Sequence, residues 1–361
     1  MNISHERIRT QIVNILRAWG MAEDLVHTTA DAMVETDLLG VDSHGISMLM
    51  TYEARMREGK LNLAAKPTIL RETPCMAVVD GQAGLGHPVS VFAMNLAIDK
   101  ALKMGLAGVG VRNSHHFGAT GVYARIASKR GVIGMVTRAT RGIAMVPTRG
   151  KIPVLGTNPI AFAAPAKRNR PFVLDMATTT SAANKIKVYD LNNKKLPEGW
   201  VIDGEGNTVT DPRHYMAQMQ GGEKSGGITP LGGAESMASY KGYGLAMMAH
   251  ILGGTLNGGS FSPIRERTQG AKDPDNIGHF FLAIDPKAFR GEGEFENDLD
   301  EMIDVMHATP PIDPSRPVLV AGDPEAMERE RRLKDGIPIP EKLDQQLRDI
   351  CTRCGAAYVL T

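Results

Sequence analysis

The sequence predicts an α/β protein built on a large mixed sheet that is partly antiparallel. Apolar residues at helical spacing dominate both ends of the 361-residue chain, which predicts helices there. In the middle, short apolar runs alternate with Gly- and Pro-rich turns, a pattern typical of strands. These elements do not form a regular βαβαβ series, so we expect antiparallel strands in the sheet. We also expect the helical N- and C-terminal parts to pack together on one side of it.

The N-terminal part is predicted to be a helical module. Apolar residues recur at helical spacing over 5–39, and Gly20 divides this stretch into two helices. A third helix is expected over 47–57, and Gly59 closes it.

The middle of the chain is predicted to alternate between strands and helices. Helices are expected over 90–104, with Ser90 as N-cap, and over 119–129. The predicted strands are 76–79, 107–111, 132–137, 159–163 and 172–176. Residues 192–233 are polar and rich in Gly and Pro, and a connection of that length is usually functional or mobile.

The C-terminal third contains an apolar helix, a strand and a charged helical tail. The helix is predicted over 241–253 and the strand over 277–284. The helices of the tail are predicted over 296–306, 324–334 and 342–354. We therefore divide the chain into a mainly helical domain, residues 1–75 plus 290–361, and a sheet-rich region, residues 76–289.

Composition excludes several classes of partner. The chain carries 41 Lys+Arg against 40 Asp+Glu, which leaves no broad attraction for nucleic acid or an anionic membrane. No apolar run approaches the roughly 18 residues of a membrane helix, and the N-terminus has no apolar signal core. The three cysteines fit a reducing compartment, so we expect a cytoplasmic protein with neither nucleic acid nor membrane as a partner.

Fingerprints for nucleotides and metals are missing from the sequence. The dinucleotide-binding fingerprint is Gly-x-Gly-x-x-Gly. The segments nearest to it begin at Gly84 and Gly108, and both lack the third glycine. No P-loop run occurs either, so any dinucleotide must be held in another way. His115 and His116 have no carboxylate or thiolate nearby in sequence, and we predict no metal site.

Two histidine-containing segments have the residue types of a proton-transfer site. Asp-Ser-His-Gly at 42–45 separates two predicted helices, where Ser43 could cap a helix or could project with His44 into a cleft. The segment 113–121 joins a strand to a helix, and its histidines could relay a proton near neutral pH. They could equally be satisfied by local hydrogen bonds.

Other segments suggest anion or ribose binding, each with a plainer alternative. Gly-Thr-Asn-Pro at 156–159 and the hydroxyl-rich run 174–180 flank predicted strands, and both could be turn chemistry instead. Lys241 opens an apolar helix, where the helix dipole disfavours a cation, so it either faces an anion or is simply solvated.

Taken in order, these segments resemble the malate/L-lactate dehydrogenase family, which lacks the Rossmann fold. Its members include ureidoglycolate, sulfolactate and hydroxycarboxylate dehydrogenases and a cyclic imino-acid reductase. The resemblance runs from about residue 8 to residue 340. The motifs that carry it are Asp-Ser-His-Gly at 42–45, Ser-His-His-Phe-Gly at 114–118, Gly-Thr-Asn-Pro at 156–159, Leu-Asp-Met-Ala-Thr at 174–178, Pro-Glu-Gly-Trp at 197–200, Asp-Pro at 211–212 and Lys-Gly-Tyr-Gly-Leu at 241–245.

The resemblance implies reversible hydride transfer between NAD or NADP and a small 2-hydroxy acid. It implies that His116 is the acid/base, with Ser43 and His44 at the junction of substrate and nicotinamide. It also implies a homodimer in which the sheet-rich region binds the cofactor and mediates dimerisation, and the helical domain completes the cleft. The implied cofactor contacts are His44, Gly118, Ala119, Thr120, Thr140, Asp175, Met176, Ala177, Thr178, Thr179, Tyr240, Lys241, Gly322 and Asp323.

Two departures from the family pattern bear on the substrate and the cofactor. Many members have an arginine that can grip a carboxylate where this chain has Met48, and we predict Arg141 as its replacement. Tyr240 stands where a histidine is usual, which bears on the choice between NAD and NADP. Two alternatives stay open: a cyclic imino-acid reductase, and a catalytically silent binding protein on the same fold.

Overall fold

The computed structural model of the chain describes residues 1–220 and 225–361. In these ranges the helices are α1 (His5–Ala18), α2 (Glu23–Leu38), α3 (Leu49–Arg57), α4 (Gly86–Met104), α5 (Gly121–Lys129), α6 (Ala183–Leu191), α7 (Pro212–Gln220), α8 (Ser239–Gly253), α9 (Glu294–Ala308), α10 (Asp323–Asp335) and α11 (Glu341–Cys354). The strands are β1 (Asn2–Ile3), β2 (Thr68–Glu72), β3 (Met76–Gly84), β4 (Leu106–Ser114), β5 (Ile133–Arg138), β6 (Ile160–Ala164), β7 (Phe172–Met176), β8 (Val201–Ile202), β9 (Gly227–Ile228), β10 (Ile277–Ile284) and β11 (Ile337–Pro338).

The main sheet has the strand order β2-β3-β4-β10-β5-β6-β7. Strands β3 and β4 pair in parallel, whereas the other neighbouring pairs are antiparallel. The predicted mixed, partly antiparallel sheet is therefore confirmed. Strand β10, which comes late in the chain, lies between β4 and β5 and so joins distant parts of the sequence.

The core of the sheet-rich region forms where α4 and α5 pack on the sheet. Small residues dominate the contact: alanines of both helices face alanines and valines of β4, β5 and β6. Gly134 in β5 shows how close this contact is, because a Cβ there would lie 2.5 Å from the Cβ of Ala127. Such close approach fixes the position of α5, whose N-terminus borders the functional site described below.

The two ends of the chain form one helical unit, as the sequence predicts. Helices α1, α2 and α3 share a buried core with α11, and Leu347, Ile350 and Leu360 are fully buried in it. Strand β1 pairs with β11, and the guanidinium of Arg353 on α11 forms an ion pair with Glu53 on α3. The domain boundaries at 75 and 290 stay a prediction; the first of them falls between β2 and β3, which are paired.

Most predicted elements are present within a few residues, and one predicted boundary is wrong. Helix α4 begins at Gly86 rather than at Ser90, which is buried inside the helix and caps nothing. Pro88 lies in the first turn, where the missing N–H has no helical partner to lose, so the helix can start earlier. The stretch 192–233 contains α7 and the β8–β9 pair rather than loop alone. In the described ranges, no helix is long and apolar enough to cross a membrane.

Candidate active site

A pocket of about 700 Å³ lies between the helical unit and the edge of the sheet where β4, β5 and β7 end. That volume is within the range of about 300–1,000 Å³ that small-molecule sites occupy. Residues from five stretches of chain line it: some of 41–61 with Leu85, most of 115–120, most of 138–143 with Thr157 and Pro159, four residues of 175–183, and Asp275 with Ile277. Most of the residues that the sequence singled out for chemistry belong to these stretches.

The Asp-Ser-His-Gly segment is held rigidly at the mouth of the pocket. Asp42 accepts hydrogen bonds from the guanidinium of Arg332 on α10. Asp37 accepts from the N–H of Ile46 at 2.8 Å, and a Cβ at Gly45 would overlap the Asp37 carboxylate. Ser43 caps no helix; its hydroxyl lies 2.7 Å from His44 Nδ1 instead.

The loop after β4 places His116 against the helical unit. Its Nδ1 lies 2.9 Å from the Tyr52 hydroxyl of α3 and accepts from the N–H of Gly118 at 3.2 Å. Gly86 at the start of α4 donates to the carbonyl of His116 at 3.1 Å, which fixes the backbone. In the described chain Nε2 takes part in no hydrogen bond. Nε2 is therefore the nitrogen available to a ligand in the pocket.

The two predicted histidines lie together, and His115 does not join them. The rings of His44 and His116 stack with centroids 5.4 Å apart. His115 instead hydrogen-bonds the carbonyl of Lys60 at 2.7 Å and lies 3.6 Å from the carboxylate of Asp275. The plainer alternative of a locally satisfied histidine thus holds for His115, while His116 faces the pocket.

The imidazoles around the pocket are kept neutral by their surroundings. Burial, reinforced by the charge of Arg138 and by neighbouring histidines, holds the pKa of His116 well below its usual range. Burial also lowers the pKa of His44 to about 4 and that of His87 to about 3. The His116 ring is therefore uncharged at neutral pH.

Three charged residues of the lining carry no role in the sequence analysis. Arg138, at the end of β5, is 5% exposed, and its guanidinium lies 5.0 Å from the centre of the Phe117 ring. Arg55 and Asp275 lie in the outer part of the pocket, their nearest side-chain atoms 3.6 Å apart. Their separation along the chain leaves no local pattern that could have identified them.

Arg141 lines the pocket, and its positive charge lies beside a carboxylate. Its Nε lies 3.4 Å from Asp275, and both Arg141 and Arg55 line the pocket. Burial alone would raise the pKa of Asp275, yet the hydrogen bond from His115 and the two guanidinium charges lower it to about 2. Arg55 is also paired with Glu58, and Glu58 with Lys60, so the whole group has three cations against two carboxylates.

About half of the predicted cofactor contacts line the pocket. They are His44, Gly118, Ala119, Thr120, Thr140, Asp175 and Ala177. Asp175 Oδ2 accepts from the N–H of Gly121 at 2.6 Å, and a Cβ at Gly121 would lie 2.8 Å from that carboxylate oxygen. This ties the N-terminus of α5 to the end of β7.

The remaining predicted contacts lie outside the lining of this pocket in the described chain, and their role stays a prediction. They are Met176, Thr178, Thr179, Tyr240, Lys241, Gly322 and Asp323. Thr178 donates to the carbonyl of Thr157 at 2.9 Å, and Asp323 is hydrogen-bonded to His307 at 2.7 Å. Gly322 lies beside β7, where a Cβ would approach the N–H of Val173 to 3.1 Å. Tyr240 is 58% exposed.

The sequence matches known proteins over nearly its whole length. A family model described as malate/L-lactate dehydrogenase matches residues 3–348. Malate dehydrogenase of Pyrococcus horikoshii is 37% identical over 356 residues, which cover 98% of this chain and 96% of that protein. Malate/(S)-sulfolactate dehydrogenase of Methanothermus fervidus is 36% identical, with 97% of both chains covered.

Solved structures of the same type superpose closely on this chain. Malate dehydrogenase from Entamoeba histolytica has a TM-score of 0.93 at 30% identity and covers 99% of both chains. Delta1-piperideine-2-carboxylate reductase from Pseudomonas syringae has a TM-score of 0.82 at 26% identity, covering 97% of this chain and 99% of that one.

Proposed function

The chain belongs to the malate/L-lactate dehydrogenase family, and on that basis we propose that it transfers a hydride between NAD or NADP and an anionic 2-hydroxy acid, with His116 as acid/base. Its relatives make it an oxidoreductase of the hydroxy-acid dehydrogenase type. The observation that carries the proposal is the state of His116: neutral, anchored through Nδ1, and with Nε2 left for the substrate.

The proton step uses His116 and its two neighbours. In the oxidising direction, Nε2 takes the proton of the substrate hydroxyl while the C–H bond of the same carbon breaks and a hydride leaves. A nicotinamide cofactor held in this pocket would supply the hydride acceptor for oxidation and the hydride donor for reduction. A positioned base of this kind contributes about 10²–10⁴-fold to the rate. Tyr52 and Gly118 hold the ring so that the reacting nitrogen keeps its position.

The pocket has the groups that a nicotinamide cofactor needs. The N–H groups of Ala119 and Thr120, at the start of α5, donate no hydrogen bond within the described chain and border the pocket. Free N–H groups at a helix N-terminus favour phosphate. Asp175 Oδ1 also has no hydrogen bond within the described chain and can accept one from a ribose hydroxyl. Phosphate and ribose binding on these three residues is part of the proposal.

The anionic substrate is supported by the outer arginines. Arg141 and Arg55 share Asp275, and with the adjoining Glu58 and Lys60 included the group keeps one positive charge in excess. Met48 lines the same pocket and offers no charge, so we propose that Arg141, the replacement that the sequence predicts, binds an anionic group of the substrate.

A homodimer is also part of the proposal. Helix α8 is rich in apolar residues and leaves several on the surface: Met247, Met248 and Ile251 are 36–50% exposed. An apolar strip of that kind marks a contact between proteins. Cys75, Cys351 and Cys354 are free thiols, which fits the predicted cytoplasmic location.

The decisive experiment is a substrate panel. Malate, sulfolactate, lactate and larger 2-hydroxy acids, with their 2-keto forms, are assayed by nicotinamide absorbance with NAD(H) and NADP(H). Cyclic imines are included because one structural neighbour is a delta1-piperideine-2-carboxylate reductase. We expect turnover with at least one anionic 2-hydroxy acid. Turnover of the imines alone would establish the second function, and no binding of either reduced cofactor would favour a silent binding protein.

A further inference from the structure

A buried cation in this pocket has no anionic partner within the described residues. Arg138 is 5% exposed, and its side chain forms no hydrogen bond or ion pair in the part of the chain that the structure describes. Its Nε, like that of Arg141, is buried there without a hydrogen-bond partner. Arginine is almost never buried unless it is paired, because taking its charge out of water is costly. The unpaired guanidinium therefore indicates a missing anion.

The groups around Arg138 supply no negative charge. They come from every neighbouring element: His44, Tyr52, His87, His116, Phe117, Tyr123 and His279. The four imidazoles are neutral, and burial raises the pKa values of Tyr52 and Tyr123 far from the neutral range. Burial lowers the pKa of Arg138 only to about 10, so it stays charged at neutral pH.

Arg138 differs in this respect from the two other arginines of the pocket. Arg55 and Arg141 are about one-third exposed, and both lie against Asp275. Arg138 is deeper, lines the same pocket and is close enough to His116 for its charge to act on that ring. An anion bound to Arg138 would thus lie beside the acid/base, whereas one bound to Arg141 would lie farther out.

We propose that Arg138 binds the carboxylate that is attached to the reacting carbon of the substrate, and that this ion pair shields His116 from the charge of Arg138. The inference rests on the proposed function and adds the residue that selects the substrate. A planar guanidinium can hold a carboxylate through two hydrogen bonds and so fix the neighbouring carbon in front of Nε2. Arg141 then holds a second anionic group where the substrate has one.

The shielding couples substrate charge to proton transfer. In the free protein, the charge of Arg138 is one of the causes that lower the pKa of His116. A bound carboxylate cancels that contribution, so the pKa of His116 rises when an anionic substrate is in place. The imidazolium that forms during oxidation is then stabilised by the substrate itself. A neutral analogue of the same shape would lack this effect.

The first test compares a charged and an uncharged ligand of matched shape. Oxamate carries a carboxylate next to a carbonyl carbon, and oxamide replaces that carboxylate by an amide. Both are titrated into the full-length protein with saturating reduced cofactor, for the wild type and for Arg138→Met, Arg138→Lys and Arg141→Met. A hydrogen-bonded ion pair of this kind is worth a loss of about 10- to 100-fold in affinity when one partner is removed.

We expect Arg138→Met to lower the affinity for oxamate by that factor and to leave the affinity for oxamide unchanged. The Kd of the reduced cofactor should change less than twofold. Arg138→Lys should recover part of the affinity, which also answers the concern that the methionine variant is misfolded. Arg141→Met is the matched control and should bind oxamate almost normally, because this ligand has no second anionic group. Wild-type oxamate affinity in Arg138→Met would overturn the proposal. Loss of cofactor binding with oxamate affinity retained would instead assign Arg138 to a cofactor phosphate.

The second test measures the effect of the Arg138 charge on the pKa of His116. The acid limb of kcat/KM for alcohol oxidation reports the ionisation of the free enzyme. Removing the charge in Arg138→Met should raise the pKa of His116 and move this limb to higher pH, whereas a purely structural role would leave it in place. An unmoved limb contradicts the coupling. If the wild type binds neither reduced cofactor, the proposed function fails, and titration with oxamate alone still decides whether Arg138 holds a carboxylate.

Discussion

The Tyr52 hydroxyl lies 2.9 Å from Nδ1 of His116, on the side of the ring opposite to the reacting nitrogen. To accept a proton, a neutral imidazole must carry its own proton on Nδ1 and leave Nε2 bare. The phenol oxygen can accept that Nδ1 proton, whereas the N–H of Gly118, 3.2 Å away, favours the opposite tautomer. We therefore predict that the hydrogen bond to Tyr52 selects Nε2 as the base.

Replacing Tyr52 by Phe should lower kcat for oxidation about fivefold, because the hydrogen bond that selects the tautomer is worth about 1 kcal/mol. Reduced-cofactor affinity should stay unchanged, since within the described chain the phenol hydroxyl hydrogen-bonds only His116. Steady-state kinetics and a fluorescence titration measure the two effects. Tyr215→Phe is the matched control, because Tyr215 is equally buried but lies outside the pocket. A kcat equal to that of the control would contradict the role given to Tyr52.

Replacing His116 by Ala should lower turnover by at least about 10²-fold, since the proton acceptor is removed. Cofactor binding should remain, because the N–H groups of Ala119 and Thr120 are backbone. His214→Ala, a change at an exposed histidine far along the chain, should keep full turnover. Turnover near the wild-type value in His116→Ala would show that another group moves the proton.

Replacing Arg141 by Met should raise KM for a dicarboxylic or sulfonated hydroxy acid about tenfold while kcat changes less, because the outer anionic group loses its partner. For lactate, which has no such group, KM should change little. Arg213→Met, at an exposed arginine outside the pocket, serves as the control. An unchanged KM for the dianionic substrate would exclude Arg141 from substrate binding.

Replacing Gly121 by Ala should lower the affinity for the reduced cofactor about tenfold. The new Cβ would lie 2.8 Å from the carboxylate of Asp175 and must push apart α5 and β7, which carry the proposed phosphate and ribose contacts. Gly244→Ala is the control: it also lies in a helix, but a Cβ there meets nothing within 4 Å. We measure Kd of NADH and NADPH for both variants. Equal affinity in the two would show that this junction does not shape the cofactor site.

The buried histidines predict how stability depends on pH. His87 and His279 are fully buried, and burial lowers the pKa of both, of His87 to about 3. Below the unfolded pKa of about 6.5 the unfolded chain binds protons that the folded chain does not, so stability falls as pH decreases. Asp37 and Asp175 act in the opposite sense, because burial raises their pKa values to about 8 and about 6 and their contributions are lost as pH rises. With His44 and His116 added, four histidines outnumber these two carboxyl groups.

Thermal unfolding should therefore show a Tm that falls between pH 6.5 and pH 4.5, at a loss of up to about 1.4 kcal/mol per pH unit for each uncompensated histidine. His279→Gln should make this dependence shallower. A Tm that is constant or rises over this interval would contradict the neutral state of the four imidazoles.

The sequence predicted the two halves of the site because both are local motifs at the ends of elements. His44 follows α2 and His116 follows β4, so each projects from a turn, and the fold brings the turns together. The sequence also predicted that Arg141 lies nearby. It gave no indication that Asp275 would lie between Arg141 and Arg55, since that depends on β10 being inserted beside β4.

Arg138 shows a different limit of sequence reasoning. It is the last residue of a strand whose other members are apolar or small, and an arginine at a strand end ordinarily reaches solvent. Its burial depends on Phe117 and on the imidazoles of three other elements, none of which is near it in the chain. Only the assembled structure shows that it has no partner among the described residues.

The pairing of β1 with β11, with Leu360 buried beneath α1–α3, has a consequence for biosynthesis. Tyr52 stands on α3, and that helix is braced by Arg353 and by the core that Leu360 completes. A nascent polypeptide that stops short of residue 360 cannot finish this wall of the pocket. Catalytic competence should thus require the chain as far as Leu360, and truncation before β11 should lower activity even though every proposed reacting group is still present.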